Sequence, residues 1–501
     1  MRHLSRANSN RHCRPDSAGS DFLFETGHQD TRGGPLLFCV LFWRSRICLP
    51  RTTEHPTNPM PTDVVIVGAG AAGLAAAIDL SRAGLRVEIL EARDRIGGRI
   101  YTQHDPTTNH SVDLGAEFIH GLTPEIWLPV QDHSLKVTEV HGDLWCSIDG
   151  KLQRCNFFAQ ADKILSAMDD DFADNSKADE SFVDFLSRRF PGKDHEQAKQ
   201  WATGYVSGFN AADPGLVSAR WLVHGRHADE QIEGDRAFHI AGGYQTLLDI
   251  FSRELNDPNV NIRLNTIVTA IKWKAGSIEV LANGPQAETT FEASRTLVTL
   301  PLGVLQTAGF VRFEPELPQQ KLGALEKLAM GKVVRVILCF RERFWQDLHR
   351  SGESRSLADL SFLFSRDNVF PTWWTQMPET FPIITGWAPA KSAEKLAGLG
   401  KDEVVDKAIQ SLSSLLQVQK STMQAQLQTA YFHDWDSDPY SLGAYSYVKV
   451  GGQGCQRTLG SPVADTLFFA GEATDMSGHN GTVHGAIASG QRAAREILKS
   501  K

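Results

Sequence analysis

The sequence is poor in cysteine, and its cysteines follow no pattern. Seven of them are spread over 501 residues without a CxxC pair or a regular spacing. An odd and scattered set argues against a disulfide framework and favours a reducing, cytoplasmic compartment. The sequence also predicts no metal site.

Long hydrophobic runs and an excess of positive charge are missing as well. No apolar run approaches the ~20 residues that a membrane-spanning helix needs. The net charge of -8 argues against nucleic acid and acidic membrane surfaces as partners. A chain of 501 residues exceeds what one hydrophobic core usually supports, so two or three lobes are expected.

The most informative segment is residues 64–99, VVIVGAGAAGLAAAIDLSRAGLRVEILEARDRIGGR. An apolar strand (Val64–Val67) leads through a glycine-rich turn into an alanine-rich helix. A second strand (Arg86–Leu90) then ends at Glu91, where a carboxylate can accept a hydrogen bond from a ribose hydroxyl. Strand, turn, helix, strand and acidic residue in this order predict a dinucleotide-binding βαβ unit.

The three glycines of the turn have separate physical roles. The first allows the tight bend, the second lets a pyrophosphate approach the backbone, and the third lets the helix pack on the strand. They are Gly68, Gly70 and Gly73. The helix then presents free N–H groups and the positive end of its dipole to the phosphates.

The residues after Glu91 narrow the type of cofactor. They add a Gly97-Gly98 pair and two arginines, Arg93 and Arg99, beside the expected pyrophosphate. This extension resembles the fingerprint of FAD-binding oxidoreductases of the glutathione-reductase-like class, rather than that of NAD dehydrogenases.

The C-terminal region predicts a second contact with the same cofactor. A buried strand at residues 467–470 is followed by Gly471-Glu472 and a loop, and residues 482–499 then show helical periodicity. The N-terminus of this helix would stabilise the negative charge that a flavin acquires on reduction.

Between these ends the chain alternates between two kinds of segment. Residues 123–237 are polar and helix-like, and strands are predicted near 259–264, 267–273, 277–282 and 296–300. Residues 123–237 are one insert, and residues 309–431 are a second one. The second insert contains a strand at 332–340, an aromatic loop at 370–374 and a polar helix at 401–417.

Together these segments resemble the flavin-containing amine oxidase family, which includes monoamine oxidases, polyamine oxidases and lysine-specific histone demethylases. The resemblance covers nearly all of residues 62–499. Its most specific parts, besides the N-terminal fingerprint, are LGAEFIHG (114–121), LPLGV (300–304), Trp435 with PYSLGAY (439–445), and AGE (470–472) with GTVHG (481–485).

The resemblance implies an α/β fold, in which a Rossmann-like FAD-binding domain of the glutathione-reductase type is interleaved with an α+β substrate-binding domain. The FAD-binding domain would comprise residues 60–122, 238–308 and 432–501, and the substrate-binding domain 123–237 and 309–431. Residues 1–59 lack periodicity, and we expect a disordered or spurious extension ahead of Met60.

The resemblance also implies which residues contact the FAD. They are Gly68, Gly70, Ala72, Gly73, Glu91, Ala92, Arg93, Gly98, Arg99, Gly115, Ala116, Glu117, Val268, Trp435, Gly471, Glu472, Thr482 and Val483. The implied reaction transfers hydride from the α-carbon of a primary or secondary amine to the flavin, with polyamines among the candidate substrates. The imine is hydrolysed, and molecular oxygen reoxidises the flavin to give hydrogen peroxide.

Three positions depart from the family pattern. Ala444 stands where monoamine oxidases have the cysteine that attaches their flavin, so FAD is expected to be non-covalent. Tyr445 matches one wall of the aromatic cage around the amine, but Thr482 stands where monoamine oxidases have the opposite wall. Arg335 occupies the position of the lysine that holds a water near the flavin, ten residues before Trp345.

Lys332 lies three residues earlier, and residues three apart in a strand face opposite sides. Arg335 is therefore predicted to take the lysine's place, unless a bulge turns Lys332 toward the site. His120 is a further candidate, because polyamine oxidases have a substrate-facing histidine in a similar stretch. Trp373, Trp374 and Trp387 could line a substrate channel, although large aromatic residues are by default core residues.

Other functions stay open. An L-amino-acid oxidase would need an arginine to bind the substrate carboxylate, and Arg220 and Arg226 are the candidates. A desaturase or a protoporphyrinogen-oxidase-like flavoprotein would lack the aromatic amine cage. Loss of the lysine also allows a non-catalytic flavin-stabilised binding protein.

Overall fold

The structure is a computed structural model of the chain, and it describes residues 62–173, 177–350, 353, 355–366 and 369–500. The expectation for residues 1–59 lies outside these ranges. The strands are β1 (Thr62–Val67), β2 (Val87–Leu90), β3 (Thr102–Asp105), β4 (His110–Asp113), β5 (Ile119–His120), β6 (Val137–Glu139), β7 (Asp143–Ile148), β8 (Lys151–Arg154), β9 (Ala237–Ile240), β10 (Val260–Arg263), β11 (Ile267–Lys274), β12 (Ser277–Asn283), β13 (Glu288–Val298), β14 (Arg312–Glu314), β15 (Leu328–Met330), β16 (Val333–Phe340), β17 (Leu360–Phe364), β18 (Thr372–Thr375), β19 (Ile383–Pro389), β20 (Leu427–Phe432), β21 (Ser446–Val448) and β22 (Leu467–Phe469).

The helices connect these strands and cover the sheets. They are α1 (Ala71–Arg82), α2 (Pro124–Asp132), α3 (Phe157–Asp171), α4 (Phe182–Arg189), α5 (Glu196–Phe209), α6 (Ala219–Gln231), α7 (Gln245–Glu254), α8 (Leu302–Gln306), α9 (Gln319–Lys327), α10 (Lys391–Glu394), α11 (Lys401–Leu416), α12 (Lys420–Gln426), α13 (Cys455–Gly460) and α14 (Val483–Lys499). Short 3-10 helices occur at Phe344–Asp347, Leu357–Asp359 and Glu472–Thr474.

The first sheet contains the dinucleotide-binding motif. Its eight strands run in the order β10-β2-β1-β13-β12-β11-β14, and β22 pairs with β13. Strand β1 is parallel to β2 and β13, and its VVIV run is buried, as expected for a central parallel strand that is covered on both faces. The α/β architecture inferred from the sequence is therefore confirmed.

Helices α1 and α14 pack against each other on one face of this sheet. Both contribute apolar side chains to one core cluster with β1 and β2. The helices approach so closely that a Cβ added at Gly490 would lie 2.1 Å from the carbonyl oxygen of Ala72. This contact joins the N-terminal motif to the C-terminal helix, although more than 400 residues separate them in sequence.

The second sheet is mainly antiparallel and has seven strands in the order β20-β16-β19-β18-β17-β7-β8. Strand β16 lies within it, and its residues alternate between two environments, as the period of a strand requires. Val334, Val336, Leu338 and Phe340 pack in a core with helix α11, whereas Ile337 and Cys339 pack on the opposite side against Val112 and Leu114.

Two local predictions need correction. The aromatic segment 370–374 is not a loop, because Trp373 and Trp374 belong to β18 and pair with β17 and β19. The polar segment 123–237 is largely helical but also contains strands, of which β7 and β8 form an edge hairpin of the second sheet. A run of aromatic residues fits a buried strand as well as a loop, and tertiary pairing decides between them.

The cysteine prediction was wrong in one respect. Cys146 in β7 and Cys155 just after β8 form a disulfide across the hairpin, with their Cα atoms 5.7 Å apart. The separation of nine residues shows no pattern in the sequence until the hairpin brings the two strands together. With a disulfide present, the cysteine pattern no longer supports a reducing compartment.

Segments far apart in the chain contribute to each sheet. Strand β14 lies in the range assigned from sequence to the substrate-binding domain, yet it pairs with β11 of the first sheet. Among the described residues, no helix is both long enough and apolar enough to cross a membrane.

Candidate active site

A cavity of about 1420 Å³ extends from the glycine-rich turn after β1 to the second sheet. At one end its wall includes Gly68, Gly70 and Glu91, and at the other Trp374 and Trp387 of the second sheet. The cavity is large enough for a dinucleotide together with a small organic substrate.

The glycine-rich turn has the geometry that a pyrophosphate requires. Gly68 has φ of +106°, and a Cβ on it would lie 2.6 Å from Oγ1 of Thr299. A Cβ on Gly73 would lie 2.1 Å from the carbonyl oxygen of Gly68, so only glycine allows α1 to pack this closely. A Cβ on Gly70, in contrast, would meet nothing within 4 Å. The open space lies at the N-terminus of α1, which has no side-chain cap.

Glu91 is fixed at the end of β2 by backbone donors. Its carboxylate accepts hydrogen bonds from the N–H groups of Ala69 (2.8 Å) and Arg93 (2.9 Å). Burial raises the pKa of this carboxyl, whereas these two hydrogen bonds lower it. Each carboxylate oxygen retains a second lone pair, so Glu91 can still accept a ribose hydroxyl.

Carboxylates hold the two arginines of the extended fingerprint. The Nη2 of Arg93 donates to Asp438 at 2.9 Å and to the hydroxyl of Ser441. The Nη1 of Arg99 donates to Glu472 at 2.9 Å and to the carbonyl oxygen of Ala444. Both arginines line the cavity, and their ion pairs connect the fingerprint to the C-terminal segment.

The Gly115–Ala116 backbone lies directly on this fingerprint. The N–H of Ala116 donates to the carbonyl oxygen of Arg99, and a Cβ on Gly115 would lie 1.8 Å from that oxygen. Trp435 packs beside Gly115, and its indole donates to the carbonyl oxygen of Leu114 at 2.8 Å.

The C-terminal helix begins at the wall of the cavity. Thr482 caps α14, because its hydroxyl accepts the N–H of Gly485. Glu472 accepts hydrogen bonds from the hydroxyl of Ser446 and from the N–H of Gly481, which ties the preceding loop to β21. The start of α14 therefore faces the cavity, as predicted for a helix that meets the flavin.

Most of the predicted site residues line this one cavity. Those that do are Gly68, Gly70, Ala72, Glu91, Ala92, Arg93, Gly98, Arg99, Gly115, Ala116, Glu117, His120, Val268, Arg335, Trp435, Tyr445, Gly471, Glu472, Thr482 and Val483. Gly73 does not, because it faces the packing contact between α1 and the turn. Lys332 is the other exception.

Lys332 and Arg335 point in different directions. The ammonium of Lys332 pairs with Asp436 at 3.1 Å and is about half exposed, away from the cavity. Arg335 lies on β16 with only 4% of its surface exposed, and it lines the cavity. This agrees with the strand parity, and β16 pairs with β19 in continuous register from Val333 to Cys339, without a bulge that would turn Lys332 inward.

Arg335 is held by the segment after β4. Its Nη1 donates to the carbonyl oxygen of Gly115 at 2.6 Å, and its Nη2 forms an ion pair with Glu117. Trp374 and Gln376 also donate to the carboxylate of Glu117, at 3.0 and 2.8 Å. Glu117 was predicted only as a cofactor contact, because a partner 218 positions away cannot be identified from one sequence.

Tyr445 forms part of the cavity wall. Its hydroxyl donates to the carbonyl oxygen of Phe209 at 2.7 Å, and its ring packs against Gly481. Thr482 is the residue after Gly481. Its hydroxyl accepts the N–H of Gly485 in the helix cap and donates to the carbonyl oxygen of His479. Thr482 therefore supplies no aromatic wall opposite Tyr445.

Burial lowers the pKa of two histidines at this wall, His120 and His484. Burial lowers the pKa of His120 to about 4, and burial together with His479 and His120 lowers that of His484 to about 3. His484 was not predicted as a site residue, although it lies in the GTVHG segment. Nothing in the sequence distinguishes it from a helix residue that packs in the core.

Aromatic side chains dominate the part of the cavity away from the glycine-rich turn. Trp374 and Trp387 line it, whereas Trp373 is fully buried in the core and donates to the carbonyl oxygen of Phe370. Further aromatic walls come from α3, α5 and β17, a set that sequence analysis missed because its members are scattered. They are Phe157, Phe158, Tyr205, Phe209, Phe362 and Phe364. Together with Trp374 and Trp387 they form an aromatic chamber.

Each arginine that lines the cavity in the described ranges is paired with a carboxylate. Besides Arg93, Arg99 and Arg335, these are Arg226, paired with Asp162 and Asp169, and Arg236, paired with Glu139. Arg220, the other candidate for binding a substrate carboxylate, is buried and does not line the cavity. No group of three or more His, Cys, Asp and Glu side chains suited to a metal ion occurs within the ranges that the structure describes.

A dinucleotide-binding turn, a helix terminus facing the same cavity and an aromatic chamber beyond it define a flavoprotein oxidoreductase. Comparison with known proteins agrees. The family described as flavin containing amine oxidoreductase matches residues 71–498, and the chain belongs to this family. FAD is its cofactor, and the protein is an FAD-dependent oxidoreductase that acts on amines.

Individual relatives are similar over most of the chain. Probable polyamine oxidase 4 of Arabidopsis thaliana is 28% identical over 471 residues, which cover 88% of each chain. Lysine-specific histone demethylase 1 homolog 2 of Arabidopsis thaliana is 29% identical over 96% of this chain but 62% of its own length. A structure of putrescine oxidase bound to putrescine superposes with a TM-score of 0.73, at 22% identity, over 88% of this chain and 99% of that one.

Proposed function

We propose that this protein oxidises primary or secondary amines that carry further positive charge, with polyamines as the main class. The observation that carries the proposal is the charge of the cavity wall. Nine carboxylate side chains line it against five arginines, each of which is paired. Excess negative charge around a cavity concentrates cationic ligands within it.

Asp229 is one of the carboxylates beyond those pairs. Burial raises its pKa to about 6, and His479 and Arg226 lower it. It lies on α6, on the cavity wall, with Glu230 beside it. We infer that this side of the cavity attracts the charged end of a diamine or polyamine, while the aromatic walls surround its carbon chain.

The bound FAD supplies the chemistry by accepting hydride from the α-carbon of the amine and passing the electrons to molecular oxygen, which gives hydrogen peroxide. The protein must bind the amine in its neutral form. The aromatic chamber penalises the ammonium by desolvation and so lowers the pKa of the reacting amine. Tyr445 and Trp387 border the space where the α-carbon would be oriented.

The alternative functions have less support. An L-amino-acid oxidase needs a cation for the substrate carboxylate. Of the two candidates, Arg220 does not line the cavity, and Arg226 is already paired with Asp162 and Asp169. A non-catalytic flavin-stabilised scaffold would not need an aromatic chamber of this size next to the cofactor. A desaturase or protoporphyrinogen-oxidase-like protein would gain nothing from the excess of carboxylates.

We also propose that the two-domain division inferred from sequence holds, apart from the strand at 312–314.

A panel of spermine, spermidine, putrescine, tyramine and L-amino acids in a peroxide assay tests this substrate class. We expect the polyamines to give the largest kcat/KM. Asp229→Asn should raise KM for polyamines and leave tyramine unaffected, because only the polyamine carries a second charge. Activity confined to L-amino acids, or to tyramine, would exclude the proposed class.

A further inference from the structure

Arg335 and Glu117 form an ion pair with almost no exposure to solvent. Their side chains are 5% and 2% exposed. They lie on different parts of the fold, since Arg335 is in β16 of the second sheet and Glu117 follows β4 in the segment that contacts the fingerprint. A buried ion pair of this kind forms only where both partners find further hydrogen bonds.

Three further hydrogen bonds hold this unit in place. Trp374 and Gln376 donate to Glu117, and the guanidinium donates to the carbonyl oxygen of Gly115. The ring of Trp374 also lies 5.3 Å from Cζ of Arg335, within the range of a cation–π contact. The neutral donors stabilise the ionised form of Glu117 without adding charge. Arginine and glutamate together therefore contribute no net charge.

This neutral unit lies next to the cofactor fingerprint. Gly115, which accepts a hydrogen bond from Arg335, is in van der Waals contact with the Arg99 backbone and with Trp435. Arg335, Glu117 and Gly115 all line the cavity. A charge at this point would act on a bound flavin through a medium of low dielectric constant, where electrostatic effects are larger than in water.

We propose that Glu117 is a positioning residue that holds the Arg335 guanidinium and cancels its charge, so that this wall does not favour the reduced flavin. A lone cation here would stabilise the negative charge of reduced FAD and raise its potential. With Glu117 in place, the guanidinium of Arg335 keeps its N–H donors in fixed positions, and the potential of the flavin is not raised. The inference rests on FAD binding alone, and its test uses no amine, so its failure is distinguishable from failure of the proposed function.

The test is the midpoint potential of the FAD in the full-length holoprotein, measured by equilibration with reference dyes. Glu117→Gln keeps the shape of the side chain and leaves Arg335 without its counter-charge. We expect the reduction equilibrium to shift at least about tenfold toward reduced flavin, which is about 30 mV for a two-electron couple. The double variant Glu117→Gln, Arg335→Met removes both charges and should return the potential to the wild-type value.

Two further variants separate charge from fold. Arg335→Lys keeps the pair and should keep the potential. Asp143→Asn breaks another ion pair, in which Asp143 is buried and Arg154, on the β7–β8 hairpin outside the cavity, is about half exposed; it should lower thermal stability without moving the potential. An unchanged potential in Glu117→Gln would overturn the proposal. If Glu117→Gln does not retain flavin, the double variant is the test. A tenfold shift of the flavin reduction equilibrium in the double variant, relative to wild type, would then show that the native pair is not neutral toward the flavin and would overturn the proposal.

Discussion

The imidazole of His120 lies on the cavity wall, with ring centroids 6.0 Å from Phe118 and 6.4 Å from Phe209. Burial lowers its pKa to about 4, and no charged side chain of the described ranges contributes to this shift. A neutral imidazole can donate or accept a hydrogen bond toward a substrate without repelling a cation. This property suits a cavity that binds amines.

From the lowered pKa of His120 we predict how the free energy of unfolding depends on pH in the acid range. The unfolded chain takes up a proton near pH 6.5, whereas the folded chain does so only near pH 4. Stability from this residue is thus present above pH 6.5 and lost as the pH falls toward 4. His120→Asn should reduce that loss by up to about 3 kcal/mol, measured by denaturant unfolding at several pH values. The exposed His104, replaced in the same way, is the control for the substitution itself; equal curves for both variants would contradict the argument.

The absence of a nearby thiol makes a second prediction. Ala444 lines the cavity, and neither free cysteine of the described ranges, Cys339 or Cys455, does so. The yellow holoprotein should therefore release all of its FAD as intact dinucleotide on acid precipitation. Chromatography of the supernatant measures it, and flavin retained in the washed pellet would show a covalent bond.

At the level of secondary structure elements, the glycine-rich turn and α1 offer a direct test of how the cofactor is held. Gly70 faces open space, and Gly73 faces the backbone of Gly68. Gly70→Ala should fold normally and lose at least about tenfold in FAD affinity, because the methyl group occupies the approach of the pyrophosphate. Gly73→Ala should instead unfold or lose several degrees of melting temperature.

The two glycine variants are matched, because each adds one methyl group to the same turn. Circular dichroism and thermal melting of the apoprotein report the fold, and titration with FAD reports the affinity. Equal FAD affinity in Gly70→Ala and wild type would contradict the assignment of that space to the pyrophosphate.

Elements with strong local periodicity were predicted well. Strand β1, helix α1 and helix α14 follow from apolar runs and helical spacing, and the parity of β16 correctly separated Lys332 from Arg335. The disulfide and the strand at Thr372–Thr375 could not be found this way. Both depend on which segments become neighbours, and this information is not contained in the local sequence.

The same limit applies to the candidate site. Motif residues such as Glu91 and Glu472 could be predicted as cofactor contacts because they lie in segments that resemble the family's motifs, and both line the cavity. The partners of Arg335 could not, since Glu117, Trp374 and Gln376 come from separate segments that meet only in the folded chain. The aromatic chamber was missed for the same reason.

At the level of the whole molecule, the two sheets provide different halves of one cavity. The first sheet supplies the dinucleotide-binding turn, and the second supplies Arg335 and, together with helices α3 and α5, the aromatic walls. Family membership establishes an FAD-dependent oxidoreductase that acts on amines. Arg335 lines this cavity, and we propose that it takes the place of the family lysine and so changes which donor meets the flavin.

Anaerobic titration of the purified holoprotein with spermine tests the central claim most directly. If the protein oxidises polyamines, the visible absorption of oxidised flavin should bleach with one equivalent of amine and return when air is admitted, with release of hydrogen peroxide. Tyramine and an L-amino acid serve as comparison substrates in the same cuvette. A flavin spectrum unchanged by spermine, spermidine and putrescine, in protein whose flavin dithionite still reduces, would contradict this account.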